Sequence, residues 1–371
     1  MTLALGLLTL YASLTSFSAL WPFMVKIAGV DSASYGSFLG LGNLLSLGAR
    51  CLAMATNSVG SIILIGASFS AAASAVLLSG YTYYSIMFST LFQRFAFAVS
   101  MMGRGLAAGM EIPKNWRGAF TAAIFSSAQL GVLIGINLGL TLFLITGSYF
   151  HALISGIILA AASAILLAPL RKMRLFHENF SLKLLIPSRK PVKLLLLICA
   201  FDAFVWGGVF GFAYVLAPSY LGAIESDIGL ARTLSMVIAI PTNFVFGALS
   251  DKIRSRRLFM IISELIGCIT VLCYALIRSP VSILIFGALM GLVVSTWGPV
   301  VIAFFTEITP KEELGAVLSS WSILTGASRI IYPIIGGLII QRFGIQLFFE
   351  ISALLFLMIS ILIATVLKEN Q

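Results

Sequence analysis

Long apolar runs separated by short polar turns recur from one end of this chain to the other. A helix crosses the hydrocarbon core of a bilayer with ~20 predominantly apolar residues. Cutting the chain at its polar turns leaves twelve runs of about that length: 3–25, 33–54, 59–80, 83–106, 117–143, 149–170, 194–217, 229–250, 258–278, 281–305, 314–341 and 345–367. Short segments of strict alternation, the mark of an outer-membrane barrel, are not the pattern. The expectation is an all-α integral membrane chain with twelve transmembrane helices. Only one polar stretch is long, RKMRLFHENFSLKLLIPSRKPVK at 171–193, and it leaves six runs on each side. The predicted organisation is a six-helix bundle over 1–170, a basic cytoplasmic linker over 171–193 and a second bundle over 194–371.

The two halves resemble each other. A shift of 197 places Pro113, Lys114, Gly118 and Ala119 over Pro310, Lys311, Gly315 and Ala316, and Gly139 over Gly336; a shift of 196 places Pro22 over Pro218. These few matches fall at equivalent places in two six-helix units. Because six is even, both halves enter the membrane from the same side, so the repeat is parallel, about an axis along the membrane normal.

Composition agrees with the pattern: 60% of residues are hydrophobic and 10% charged, against roughly a quarter charged in soluble domains. The net charge of +10 would raise nucleic acid as a partner in a soluble chain. Here the positions of the charges decide otherwise. Most of the 23 Lys and Arg fall in the turns after even-numbered spans and at the C-terminus; Lys26, Arg232, Arg278 and Arg342 fall on the other side, and Arg94 and Arg329 within spans. The positive-inside rule then puts both termini in the cytoplasm, with anionic lipids as the neighbours of the excess charge and no role for nucleic acid. No basic segment precedes the first apolar run, which reads as a retained helix and not a signal peptide. Cys51, Cys199, Cys268 and Cys273 all lie in or at the ends of spans, so neither a disulfide framework nor a metal site is expected.

The densest charge within either half is FGALSDKIRSRR at 246–257, five charges in the seven residues from Asp251 to Arg257. This turn must sit at a membrane surface. Gly247, Leu249, Asp251, Lys252, Arg254, Arg256 and Arg257 match the loop signature of the major facilitator superfamily, which the chain resembles over its whole length by topology. Ser255 stands nearest to the glycine usual within the basic cluster. The equivalent turn of the first half reads CLAMATNSVGS, with Ala55 at the acid position. The resemblance implies a conformational latch at Asp251, Lys252, Arg254, Arg256 and Arg257, confined here to the second half. A carboxylate near a helix amino end gains ~0.3–1 kcal/mol, a modest cost to break in a structure that opens and closes. The arginines equally suit ordinary positive-inside residues. Tyr332–Gly337, YPIIGG, resembles a Pro-Gly-Gly element of the family's drug exporters, which usually carry it on the fifth helix; here the fifth span carries Gly131, Gly135 and Gly139 at four-residue spacing, without the proline. Both sets, with Pro333, Gly336 and Gly337, are expected to let helices pack closely.

A charge at the centre of a span costs at least ~2.5 kcal/mol and faces a cavity or a partner. Arg94 and Arg329 fall near mid-span and Asp202 slightly to the cytoplasmic side, whereas Glu264 and Glu350 fall nearer span ends, where helix-end partners would satisfy them. In the family's fold the first, fourth, seventh and tenth helices line a central cavity, which implies that Arg94 and Asp202 face it. Asp202 is the candidate proton-coupling group. Arg94 is its candidate partner or a carboxylate clamp; a structural salt bridge between halves is the other reading of the pair. Trp21, Trp206 and Trp297 are candidate stacking residues, Trp206 on nearly the same face as Asp202, with interfacial or packing roles as the alternative.

The function so implied is secondary active transport of a small organic solute by alternating access, as proton-coupled efflux of amphipathic compounds. The alternative is an uptake carrier or facilitator for a small organic anion. No phosphate-binding loop is present, and no cofactor is expected. An enzyme is disfavoured: neither H-E-x-x-H nor G-x-S-x-G occurs, and the two histidines, His151 and His177, sit at a span end and in the linker. A sensor would need a soluble output domain that no loop is long enough to form. Expected partners are the solute, protons and lipid, for a monomer in the cytoplasmic membrane.

Overall fold

The computed structural model describes residues 2–55, 59–108, 117–169, 189–253 and 255–367. Regular structure among them is helical: α1 (Thr2–Thr15), α2 (Trp21–Ile27), α3 (Ser32–Ala55), α4 (Val59–Leu78), α5 (Tyr83–Ala108), α6 (Arg117–Thr146), α7 (Tyr149–Leu167), α8 (Lys190–Tyr220), α9 (Glu225–Ile253), α10 (Arg256–Leu276), α11 (Val281–Ile308), α12 (Lys311–Ser328), α13 (Ile331–Phe343) and α14 (Ile345–Val366). Among the described residues, nine helical segments are long and apolar enough to cross a membrane, one of them α12 and α13 taken together over Ala316–Phe343. This is a multi-pass, all-helical membrane protein.

The twelve expected runs map onto these helices with two differences. The spans 33–54 and 83–106 are α3 and α5, long helices that are not among the nine. Serines, glycines and Asn43 in α3, and Gln93 and Arg94 in α5, dilute their apolar character. The runs 3–25 and 314–341 are each broken. In the first, the hydroxyls of Ser16 and Ser18 turn back onto the carbonyls of Ser13 (3.1 Å) and Thr15 (2.8 Å) between α1 and α2. Backbone bonds there reach only the third residue back, as expected where serines compete for backbone acceptors. In the second, α12 ends at Ser328 and α13 begins at Ile331. Pro333 has no N–H for the carbonyl of Arg329, four residues earlier, and its ring crowds that carbonyl.

Contacts divide the chain into two compact units: Met1–Val30 with Leu41–Asn179, and Asp31–Gly40 with Phe180–Gln371. In the first, α1 packs on α6 and α7, and α4 on α5 and α7. In the second, α8 packs on α12, α13 and α14, α10 on α11 and α14, and α9 on α11. The pairings of α1 with α6 and α7 and of α4 with α5 and α7 thus recur in the second unit, with α8 and α10 in the places of α1 and α4 and α12 and α13 together in the place of α6.

Glycines bring these helices together. A Cβ added at Gly131, Gly135 or Gly139 of α6 would meet the backbone oxygens of Leu8 (2.3 Å), Ala12 (2.2 Å) and Ser16 (1.4 Å). The same device seats α11 on α9, through Gly287 against Ala231 and Gly291 against Ser235. It also explains why residues 31–40, placed by the sequence in the first bundle, group with the second unit. A Cβ at Gly36 would lie 2.3 Å from the Pro333 oxygen, and one at Gly337 would lie 2.4 Å from that of Ser32.

Candidate functional site

α8 is the hub of the second unit, and most of its residues are buried, Leu197 and Phe210 among the exceptions. A polar residue on its buried surface is held in the interior. Asp202 is that residue, 5% exposed. Its side chain is set against Glu264 and the indole of Trp206 as hydrogen-bonding neighbours, within the electrostatic reach of the Arg329 guanidinium. Glu264 is 2% exposed. Asp202 Oδ1 and Glu264 Oε2 have no hydrogen-bond partner among the described residues.

Local structure explains how these groups meet. The α12–α13 break falls at Arg329, and Gly207, a little over one turn beyond Asp202, leaves room for it: a Cβ there would lie 3.0 Å from Arg329 Cα. Glu264 comes from the inward face of α10, whose other buried residues include Ser263, Gly267 and Thr270. Gly267 makes space for Trp206, whose ring edge would be 3.3 Å from a Cβ at that position. The indole packs at 4.6 Å on the ring of Phe356 from α14. Cys199, one turn before Asp202, is also buried beside the two carboxyls.

The cluster therefore holds two carboxyl groups and one guanidinium in a protein interior. A hydrogen bond between two carboxyl groups exists only while one of them is protonated. With one proton the cluster is neutral, and without it one negative charge stays buried. Such a pair titrates as a unit and not as two independent residues.

Glu264 corrects the sequence reading, which satisfied it near a span end. α10 begins at Arg256, so Glu264 lies about 12 Å along the helix, on its buried face. The signal was present in the sequence: Glu264 falls three residues before Gly267 and seven before Val271, the spacing of one helical face. Glu350 does find a helix-end partner, accepting from Gln346 Nε2 at 2.8 Å.

The other candidates are dispersed. Arg94 belongs to the first unit, where it packs on α3: a Cβ at Gly42 would lie 2.9 Å from its Cγ, and Ser46 Oγ donates to its carbonyl at 2.9 Å. Trp21 is buried in α2, 5.9 Å ring to ring from Phe17. Trp297 is half-buried in α11. At the basic turn, the side chains of Gly247 and Asp251, and all of Arg254, lie outside what is described, and Lys252 is exposed. Arg256 pairs with Glu307 at the end of α11 (2.8 Å) and Arg257 donates to the carbonyl of Ala364 near the end of α14. Both arginines thus tie helix ends within the second unit. Pro333 sets the break described above, Gly336 packs against Phe348, and Gly337 against α3. Among the described residues no three metal-ligating side chains come together.

Residues 195–371, from the start of α8 to the C-terminus, match the sequence profile of the Major Facilitator Superfamily. The match spans the second half of the sequence. The fold of this chain is similar to those of solved transporters at low sequence identity. Against the human organic anion transporter MFSD10 (TETRAN) the TM-score is 0.69 at 16% identity, covering 98% of each chain. Against a mutant of the nucleoside transporter NupG it is 0.75 at 13% identity, covering 99% of each. Against a bacterial homolog of the human lysosomal transporter Spinster, inward-facing and occupied, it is 0.71 at 12% identity, covering 98% of this chain and 95% of that one. By sequence, no curated protein matches. These likenesses extend over both units, whereas the superfamily profile covers the second.

Proposed function

We propose that this chain is a secondary active transporter of the Major Facilitator Superfamily that moves a small organic solute, driven by protons that bind at the Asp202–Glu264 pair. The observation that carries the reading is the pair itself: two buried carboxyls in one cluster with a single guanidinium, Arg329. An isolated buried charge is costly, and removing one partner from a buried ion cluster costs ~3–5 kcal/mol. A site whose charge balance depends on one proton therefore favours different arrangements of its helices when loaded and when empty, which is what coupling requires. Alternating access between two repeat halves would convert that preference into transport. Arg329 balances the pair, Trp206 orients Asp202, and Arg94 in the first unit is the proposed solute clamp. Twelve spans with both termini in the cytoplasm of a cell membrane complete the proposal.

For the solute we favour amphipathic compounds moved outward. The basis is the YPIIGG element on α13 and the density of aromatic and apolar side chains around α8. An organic anion is the second reading, favoured by Arg94 and Arg329 within spans and by the name of one fold neighbour, an organic anion transporter.

Purified protein in sealed proteoliposomes tests the coupling. An imposed pH gradient should drive uptake of at least one amphipathic probe, with ethidium and benzoate as the first cation and anion tried. Asp202→Asn should lose the gradient-driven component at least ~10-fold, while gradient-free exchange persists. Equal gradient response in wild type, Asp202→Asn and Glu264→Gln would overturn the assignment of the pair.

A further inference from the structure

A second charge in this unit, half-buried, has no carboxylate to answer it among the described residues. Arg232 lies about two turns into α9, within the apolar segment Glu225–Phe246. Its guanidinium carbon sits 4.2 Å from the centroid of the Tyr214 ring and 6.0 Å from that of Phe210, both on α8. Tyr214 is 1% exposed and held edge-on against Phe286 at 5.6 Å, so the platform under the cation is rigid. Tyr35 of α3, buried and packed edge-on against Phe212, is the other phenol acting electrostatically on Arg232. Phe210 is 41% exposed, which leaves that side of the ring set open.

No acid completes this environment among the described residues. Arg329 faces Asp202 and Arg256 faces Glu307, but the groups acting on Arg232 are phenols. Its Nε is buried without a hydrogen-bond partner. The acids nearest in sequence, Glu225 and Asp227, belong to the first turn of α9, where Asp227 Oδ2 accepts from the backbone N–H of Ile224 at 3.0 Å. Magnitudes show what is missing. A cation over an aromatic face gains ~0.5–2 kcal/mol, whereas an arginine costs at least ~2.5 kcal/mol at the centre of a span and less towards its ends. An anion joining the guanidinium offsets what the rings leave.

We infer that Arg232, with Tyr35, Phe210 and Tyr214, forms a binding subsite for the oxyanion head of a small aromatic organic anion. The guanidinium offers a planar fork of donors to a carboxylate. The exposed face of Phe210 offers a stacking surface to the ring that carries it. An anionic lipid phosphate shares the oxyanion chemistry but lacks the aromatic body. This subsite rests on the transporter reading and gives its solute a chemical class, an amphipathic anion, that unites the two substrate readings above.

Thermal unfolding of the full chain in a neutral detergent tests the subsite, with benzoate and salicylate as probes and benzamide as the neutral isostere of benzoate. Benzoate or salicylate should raise the wild-type midpoint saturably and benzamide should not. Arg232→Gln should abolish the shift. Arg232→Lys, which keeps the charge and so covers the case in which the glutamine variant fails to fold, should weaken binding ~10-fold through loss of the planar fork. Phe210→Ala should weaken it about 2- to 10-fold. Protection by benzamide equal to that by benzoate, an unaltered shift in Arg232→Gln, or no shift with either carboxylate would overturn the inference. So would protection by phosphatidylglycerol micelles, absent with phosphatidylcholine and lost in Arg232→Gln, when neither carboxylate protects; the occupant is then a lipid phosphate. Binding in detergent is read without any gradient, whereas coupling is read from gradient-driven uptake in proteoliposomes. Failure of proton coupling and failure of this subsite are therefore read separately.

Discussion

Asp31 shows how one side chain starts a helix that a glycine-lined contact then holds. Its Oδ1 accepts from the backbone N–H groups of Ala33 (2.9 Å) and Ser34 (3.0 Å), and its Oδ2 accepts from the Ser34 hydroxyl at 2.7 Å. These bonds, the Ser34 hydroxyl first among them, hold the carboxyl below its ordinary titration range. A depressed carboxyl pKa means that the folded state favours the charged form, so its contribution is present above the ordinary carboxylate range and is lost as pH falls through the lowered value. Asp31→Ala should therefore lower stability by ~0.5–2 kcal/mol at neutral pH, with the gap to wild type closing in acid; thermal midpoints measured from pH 7 down to pH 3 check it. Asp202 and Glu264 contrast with Asp31. Asp31 satisfies itself from its own helix, so its role follows from local sequence. The two buried carboxyls depend on α8, α10 and the α12–α13 break being brought together.

At the scale of elements, the glycines of α6 and the serine-lined break after α1 form one joint. Gly139 lies against the carbonyl of Ser16, the first residue after α1. A Cβ there would stand 1.4 Å from that oxygen, a backbone atom that no rotamer change can move away. Gly139→Ala should cost at least ~1–3 kcal/mol by overpacking. Gly48→Ala in α3, where nothing lies within 4 Å, should be neutral or stabilising by up to ~1 kcal/mol through helix propensity. Midpoints of the two purified variants beside wild type test this, and similar losses in both would show that Gly139 matters for propensity and not for fit. Pro333 works differently. By interrupting its helix it delivers the Arg329 segment to Gly207, so the residues first noted as an exporter-like element also shape the charged cluster.

For the molecule as a whole, the recurrence of helix pairing in the two units is the structural counterpart of the weak sequence repeat. The superfamily profile reaches only residues 195–371 although the fold likeness covers both units. The first half lacks the acid that the second carries in its basic turn, Ala55 standing at that position, while α1, α4, α5, α6 and α7 pair as α8, α10, α11, α12–α13 and α14 do. Topology makes the whole-chain prediction. In a cysteine-free background, Ser188→Cys in the linker should react with an impermeant maleimide in inside-out vesicles and not in intact cells. Ser279→Cys, between α10 and α11, should react in intact cells. The reverse pattern would invert the proposed orientation.

Apolar run length and the sidedness of Lys and Arg depend on transfer between water and lipid, which each segment undergoes on its own. For that reason the sequence alone determined a multi-pass helical chain and its likeness to the superfamily, while sidedness is a prediction for labelling and most of the expected linker, 171–193, lies outside the described residues. It also singled out Asp202, Arg329 and Trp206, because polar groups stand out against an apolar helix. Only the tertiary structure decided that Glu264 joins them, that residues 31–40 group with the second unit, and that Arg232 lies on Tyr214 without an acid. Each of these depends on which face of one helix meets which face of another. That choice is made by close backbone approach at glycines such as Gly36, Gly207 and Gly337, and a partner three helices away leaves no trace in the local pattern.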